Sequence, residues 1–115
     1  MGYLTTHVLD LSAGVPAGGL QVELHEWPTG KAVCSVYTGI NGRCDPALIE
    51  GAAFHRGGYL LTFHAAEYFR ARKVTLPDPP FFDQIAVRVG IARPDEHYHV
   101  PLLISPWSYS VYRGG

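Results

Sequence analysis

Apolar and polar residues alternate with a period of two along most of the chain, which is the signature of half-buried strands. Leu20 to Leu24 reads Leu-Gln-Val-Glu-Leu. In Gln84 to Ile91, Ile85, Val87, Val89 and Ile91 share one face and Arg88 takes the other. His97 to Ser105 alternates again, and Leu4 to Leu9 reads as a first strand. Ala32 to Thr38 and Tyr59 to Phe63 are rich in β-branched and aromatic residues, and Trp107 to Tyr112 predicts a last strand. Turn residues separate these runs at Pro16–Gly19, Pro28–Gly30, Asn41-Gly42 and Pro77–Pro80. One segment changes period: Ala65 to Arg72 is made of good helix formers, with Ala65, Tyr68 and Phe69 at i, i+3 and i+4. The pattern predicts a mainly β fold, a sandwich of six or seven strands with one short helix over 65–72. The 115 residues contain no repeat and no linker, so 1–115 is expected to be a single domain.

Strand parity sorts side chains by face. With Leu4, Thr6 and Val8 toward the core, Thr5, His7 and Leu9 face out. Tyr98, Val100, Leu102 and Ile104 read as core, which turns His97, His99, Pro101 and Leu103 outward. In the last strand Trp107, Tyr109 and Val111 are the core-like set, and Ser108, Ser110 and Tyr112 point out. The outer surface thus gathers His7, His99, Ser110 and Tyr112 among Leu9, Pro101 and Leu103. A solvated face would be charged. This mixture predicts a surface covered by another subunit, with imidazoles held in a partly dry pocket.

Charge narrows the choice of function. Nine basic residues face ten acidic ones, a net charge of -1, which offers no field for a nucleic-acid backbone. No apolar run approaches the ~18 residues of a membrane span. The N-terminus lacks the basic and apolar regions of a signal peptide, and no peroxisomal tripeptide ends the chain. Two cysteines, Cys34 and Cys44, do not make a disulfide scaffold, so a cytoplasmic location with free thiols is expected. Any single histidine is more often an ordinary surface residue than a catalyst. His25 alternates with Glu23 and Gln21 on a polar face, and His55 and His64 flank turn and helix boundaries; none of these is given a role. His97 and His99, with His7, could form a three-histidine metal site, but no fourth ligand is placed, and no metal is expected. There is no Gly-x-Ser-x-Gly elbow, Cys34 reads as a core residue, and Gly57-Gly58 is a simple turn.

Three segments resemble the transthyretin-like family, specifically its 5-hydroxyisourate hydrolases. They are Leu4-Thr5-Thr6-His7-Val8-Leu9-Asp10, then Thr38-Gly39-Ile40-Asn41-Gly42-Arg43, and the run from His97 to Gly114. The family's closing Tyr-Arg-Gly-Ser stands here as Tyr112-Arg113-Gly114-Gly115. The resemblance implies a two-sheet sandwich of about eight strands. It also implies a homotetramer with active sites in a channel between dimers. The implied reaction needs no cofactor: it opens the cyclic amide of 5-hydroxyisourate, a product of urate oxidation, to 2-oxo-4-hydroxy-4-carboxy-5-ureidoimidazoline. The implied catalytic residues are His7, Arg43, His99 and Tyr112. Substrate contacts would come from His7, Arg43, Ser110, Tyr112 and Arg113, with Pro101 and Leu103 as an apolar wall. The alternative is a carrier, since transthyretin itself holds a hormone in the same channel without this His-Arg-His-Tyr set.

Overall fold

A computed structural model describes all residues from Met1 to Gly115. Two sheets pack face to face. The first contains β1 (Tyr3–Asp10), β2 (Val15–Pro16), β5 (Ile49–Glu50), β8 (His97–Ile104) and β9 (Tyr109–Val111). Its main path runs β2-β1-β8-β9, and β5 pairs with β1. The second contains β3 (Gln21–Trp27), β4 (Ala32–Tyr37), β6 (Gly57–Phe63) and β7 (Ile85–Ile91) in the order β4-β3-β6-β7. The helix α1 (Ala65–Ala71) follows β6, and a 3-10 turn at Gly51–Ala53 precedes it.

The expected sandwich is present, with two more strands than the periodicity predicts. Both, β2 and β5, are two residues long, too short to carry a period. The helix ends at Ala71, with Arg72 as its cap, one residue before the expected limit.

The core is what parity predicts for β1 and β8. Leu4, Val8, Leu102 and Ile104 are fully buried, facing Leu24, Tyr59, Leu61 and Phe63 from the opposite sheet. Truncating one of these leucines to alanine would cost ~2–5 kcal/mol. The helix face is also as expected: Ala65, Tyr68 and Phe69 are buried, together with Ala66. Tyr68 donates its hydroxyl proton to Asp10 (2.8 Å), and the other Asp10 oxygen accepts from the Ser12 and Ala13 amides and the Ser12 hydroxyl. A buried carboxylate thereby ties the helix to the end of β1. Cys34 is half-buried, with its thiol toward the Leu48 carbonyl, and burial pushes the Cys44 thiol up to about 11.

The last strand departs from expectation. It spans only Tyr109–Val111, and only Val111 packs against the core. Trp107 and Tyr109 are exposed. The reason lies in the turn at Ser105, whose hydroxyl oxygen accepts from the Trp107 and Ser108 amides. That turn consumes the residues read as the strand's first half. The aromatic rings instead meet Phe81 and Phe82 at the rim of the sandwich.

Candidate active site

β1 and β8 run parallel, and their register sets the outer face: Tyr3 beside His97, Thr5 beside His99, His7 beside Pro101, Leu9 beside Leu103. Thr5, His7, Leu9, His99, Pro101 and Leu103 are all half-buried within one subunit. On the N-terminal half of this face lies a cleft of about 550 Å³. Thr5, His97 and His99 line it from the strands, Asn41 and Arg43 from the loop after β4, and Gly115 from the tail. Asp45 and Glu50 lie at the same cleft.

A tight turn brings Arg43 there. The Gly42 amide donates to the Gly39 carbonyl, and the Arg43 amide to the Asn41 side-chain oxygen. Gly42 has φ of 78°, and a Cβ at that position would run into the Val8 carbonyl oxygen. Only glycine lets this turn lie so close to β1. The Val8 amide donates to the Gly42 carbonyl at 2.9 Å, and Arg43 bridges to His7. Sequence pattern alone leaves Arg43 unplaced; here it stands beside the histidine strands. It takes part in none of the chain's ion pairs.

The His7 imidazole donates its Nε2–H to the Asn41 carbonyl at 2.9 Å. Its Nδ1 therefore carries the lone pair when the ring is neutral. Burial, and then the Arg43 guanidinium, holds His7 below the ordinary histidine range, although the Asn41 bond works the other way. His99 is lowered too, first by burial and then by Arg43, His97 and His7. Two imidazoles are thus kept neutral next to a cation, the state in which one of them can accept a proton.

The tail is fixed by antiparallel pairing. The Gly114 amide donates to the His99 carbonyl at 2.8 Å, and a Cβ on Gly114 would stand 2.8 Å from His99 Cδ2. Gly114 thus packs directly on the catalytic-candidate ring.

His7, Arg43 and His99 are brought together as expected. Pro101 lies beside His7 in the strand register, and Leu103 continues the same face beside Leu9, while Ser110, Tyr112 and Arg113 lie away from the cleft within one subunit. Tyr112 is exposed and borders a different cavity, the opening between the sheets at β7 and β9. Arg113 turns from the cleft: its guanidinium lies 4.0 Å from the Tyr98 ring centroid and pairs with Glu96 at 3.1 Å. This fastens the tail rather than reaching toward substrate. Ser110 sits beside Leu103, further along the face. Motif reading does not single out Thr5, Tyr3 or Asn41, although parity puts Thr5 on the outer face.

The fold and cleft define a β-sandwich with a neutral-imidazole and guanidinium site on one outer sheet face. The chain belongs to the HIUase/Transthyretin family, whose model matches residues 4–114. It is 51% identical to the 5-hydroxyisourate hydrolase of Pseudomonas aeruginosa, over 99% of this chain and 92% of that protein. The fold matches the crystal structure of an (S)-allantoin synthase with a TM-score of 0.93 and 41% identity, covering 99% of this chain and 44% of that one. It matches a Klebsiella pneumoniae 5-hydroxyisourate hydrolase with a TM-score of 0.85 and 30% identity, each chain covered fully.

Proposed function

We propose that this protein hydrolyses 5-hydroxyisourate by opening its cyclic amide. The observation that carries the reading is the placement of Arg43 beside two histidines of lowered proton affinity. A flat ring bearing several carbonyls suits a guanidinium fork, whose N–H donors match acceptors in one plane. Water adds to the amide carbonyl carbon as His99 takes its proton through Nε2, the nitrogen that Thr5 leaves free. Arg43 holds the oxyanion that develops. The C–N bond then breaks as the leaving nitrogen takes the proton held by the His99 imidazolium, and the new carboxylic acid gives its own proton to solvent, leaving a carboxylate and an open ureido arm. His7, fixed from the side by Asn41, orients the substrate.

The working unit is a homotetramer. The half-buried apolar residues Leu9, Pro101 and Leu103 continue the face beyond the cleft, and Ile40 is almost wholly exposed at 96%. Covering this face by a second subunit would dry the imidazoles further and bring Tyr112 and Ser110 toward a site that one subunit leaves open. No helix is long and apolar enough to cross a membrane, and a reducing cytoplasm suits the two free thiols.

The test is the absorbance decay of freshly generated 5-hydroxyisourate with and without purified protein, beside sedimentation of the same sample. The expected result is a tetramer that opens the ring far faster than water does. A protein that binds the compound and leaves its decay unchanged would be a carrier instead.

A further inference from the structure

Thr5 lies between two imidazoles. Its Oγ1 is 2.7 Å from His97 Nε2 and 2.7 Å from His99 Nδ1. A hydroxyl has one proton. It can donate to at most one ring, so at least one ring must donate its N–H to Thr5, and the two rings cannot choose their tautomers independently. When Thr5 donates to His97, His99 must carry its proton on Nδ1 and present a bare Nε2. When Thr5 donates to His99, that ring instead presents an N–H at Nε2. The first arrangement makes His99 a base and the second does not.

We infer that Thr5 is a positioning residue that sets the His99 tautomer, with His97 as the acceptor that completes the setting. This deepens the hydrolase reading and rests on it for the role of His99. The geometry has two further supports. Tyr3 stacks on His97 with ring centroids 4.0 Å apart and planes 14° from parallel, which fixes the imidazole at its far side. Both contacts arise from the parallel register, in which Tyr3 neighbours His97 and Thr5 neighbours His99. The arrangement also suits the reacting state. As Nε2 gains a proton from water, the Nδ1–H bond to Thr5 becomes a hydrogen bond from a cation and strengthens, while Thr5 keeps its own proton on His97. No bond of the chain has to be remade.

Thr5→Val, Thr5→Ser and His97→Phe separate this from a packing role. Valine keeps the volume and removes the hydroxyl; phenylalanine keeps a ring on Tyr3 and removes the acceptor. Thr5→Val and His97→Phe should each lower kcat by roughly 10- to 100-fold with little change in KM, the scale of a hydrogen bond to a charged group. Thr5→Ser should restore most of the loss. Combining Thr5→Val with His97→Phe should cost little more than either alone. Nitrogen NMR of the imidazoles provides a readout independent of turnover. Wild type should show His99 protonated on Nδ1 and bare on Nε2, and Thr5→Val should show a mixture. A wild-type His99 carrying its proton on Nε2, or a Thr5→Val protein with unchanged tautomer and kcat, would overturn the inference. A wild type that fails to open 5-hydroxyisourate but shows the coupled tautomers would count against the hydrolase reading and leave Thr5's role standing.

Discussion

Histidines on the two sheets are prepared in opposite ways. Around the second sheet, each of two imidazoles meets a carboxylate: His55 Nε2 lies 3.1 Å from Glu26, and His64 bonds Glu23 at 3.1 Å and Glu67 at 3.3 Å. The Arg56 carbonyl and Glu26 hold His55 above the ordinary histidine range. On the β1–β8 face the partners are a threonine hydroxyl and a backbone carbonyl, and the nearby charge is the Arg43 cation. Burial first, and then Arg43, moves His7 and His99 down. His55 is held toward the cation of an ion pair, whereas His7 and His99 are held as neutral bases. The side chain is the same, and its neighbours decide what it does.

Removing the neutral imidazoles should have the largest effect. His99→Ala and His7→Ala are each expected to lower turnover by ~10²–10⁴-fold, the worth of a general acid or base. Melting temperatures should hardly change, because both rings lie on the outer face. Equal activity in His99→Ala and wild type would move the site elsewhere.

Gly114→Ala should rank next. The new methyl would crowd both the His99 ring and Pro101 Cγ, 2.9 Å away, so the ring or the tail must shift. A kcat about 10- to 100-fold lower is expected, the scale of a misplacement near one ångström. Steady-state kinetics beside thermal unfolding would show whether the loss is local.

The smallest effect belongs to the other sheet. His55→Gln should leave turnover unchanged and cost less than ~1 kcal/mol of stability, as exposed pairs do. The sign with pH is definite. A group whose folded-state pKa is raised stabilises below its unfolded value of 6.5 and loses that contribution as pH rises through the folded value. The stability gap between His55→Gln and wild type should therefore narrow toward alkaline pH.

Much of this contrast is legible in the sequence, and the gaps have physical causes. Parity along β1 and β8 assigns buried and outer residues correctly because both strands are regular and one face meets a core. It fails at Trp107, where a serine-capped turn replaces the strand, and at Tyr109, which opens β9 but stays exposed. Arg43 sits in a loop, where periodicity says nothing; its place depends on the Gly42 turn lying against β1. Thr5 shares a face with His7 in the sequence, but its position between His97 and His99 arises from a parallel pairing across more than ninety residues. The motif suggests Arg113 as a substrate contact, and within one subunit its guanidinium instead lies over the Tyr98 ring and pairs with Glu96.

The pH dependence of kcat/KM tests the central claim most directly. His7 and His99 have depressed pKa values, so their neutral forms persist below pH 6.5 and are lost only as pH falls through the folded values. Activity should hold through pH 6.5 and decline with an acid limb centred below it, and Arg43→Gln should move the limb of its residual activity upward by removing the neighbouring positive charge. An acid limb at or above pH 6.5 in the wild type, unmoved by Arg43→Gln, would contradict the account.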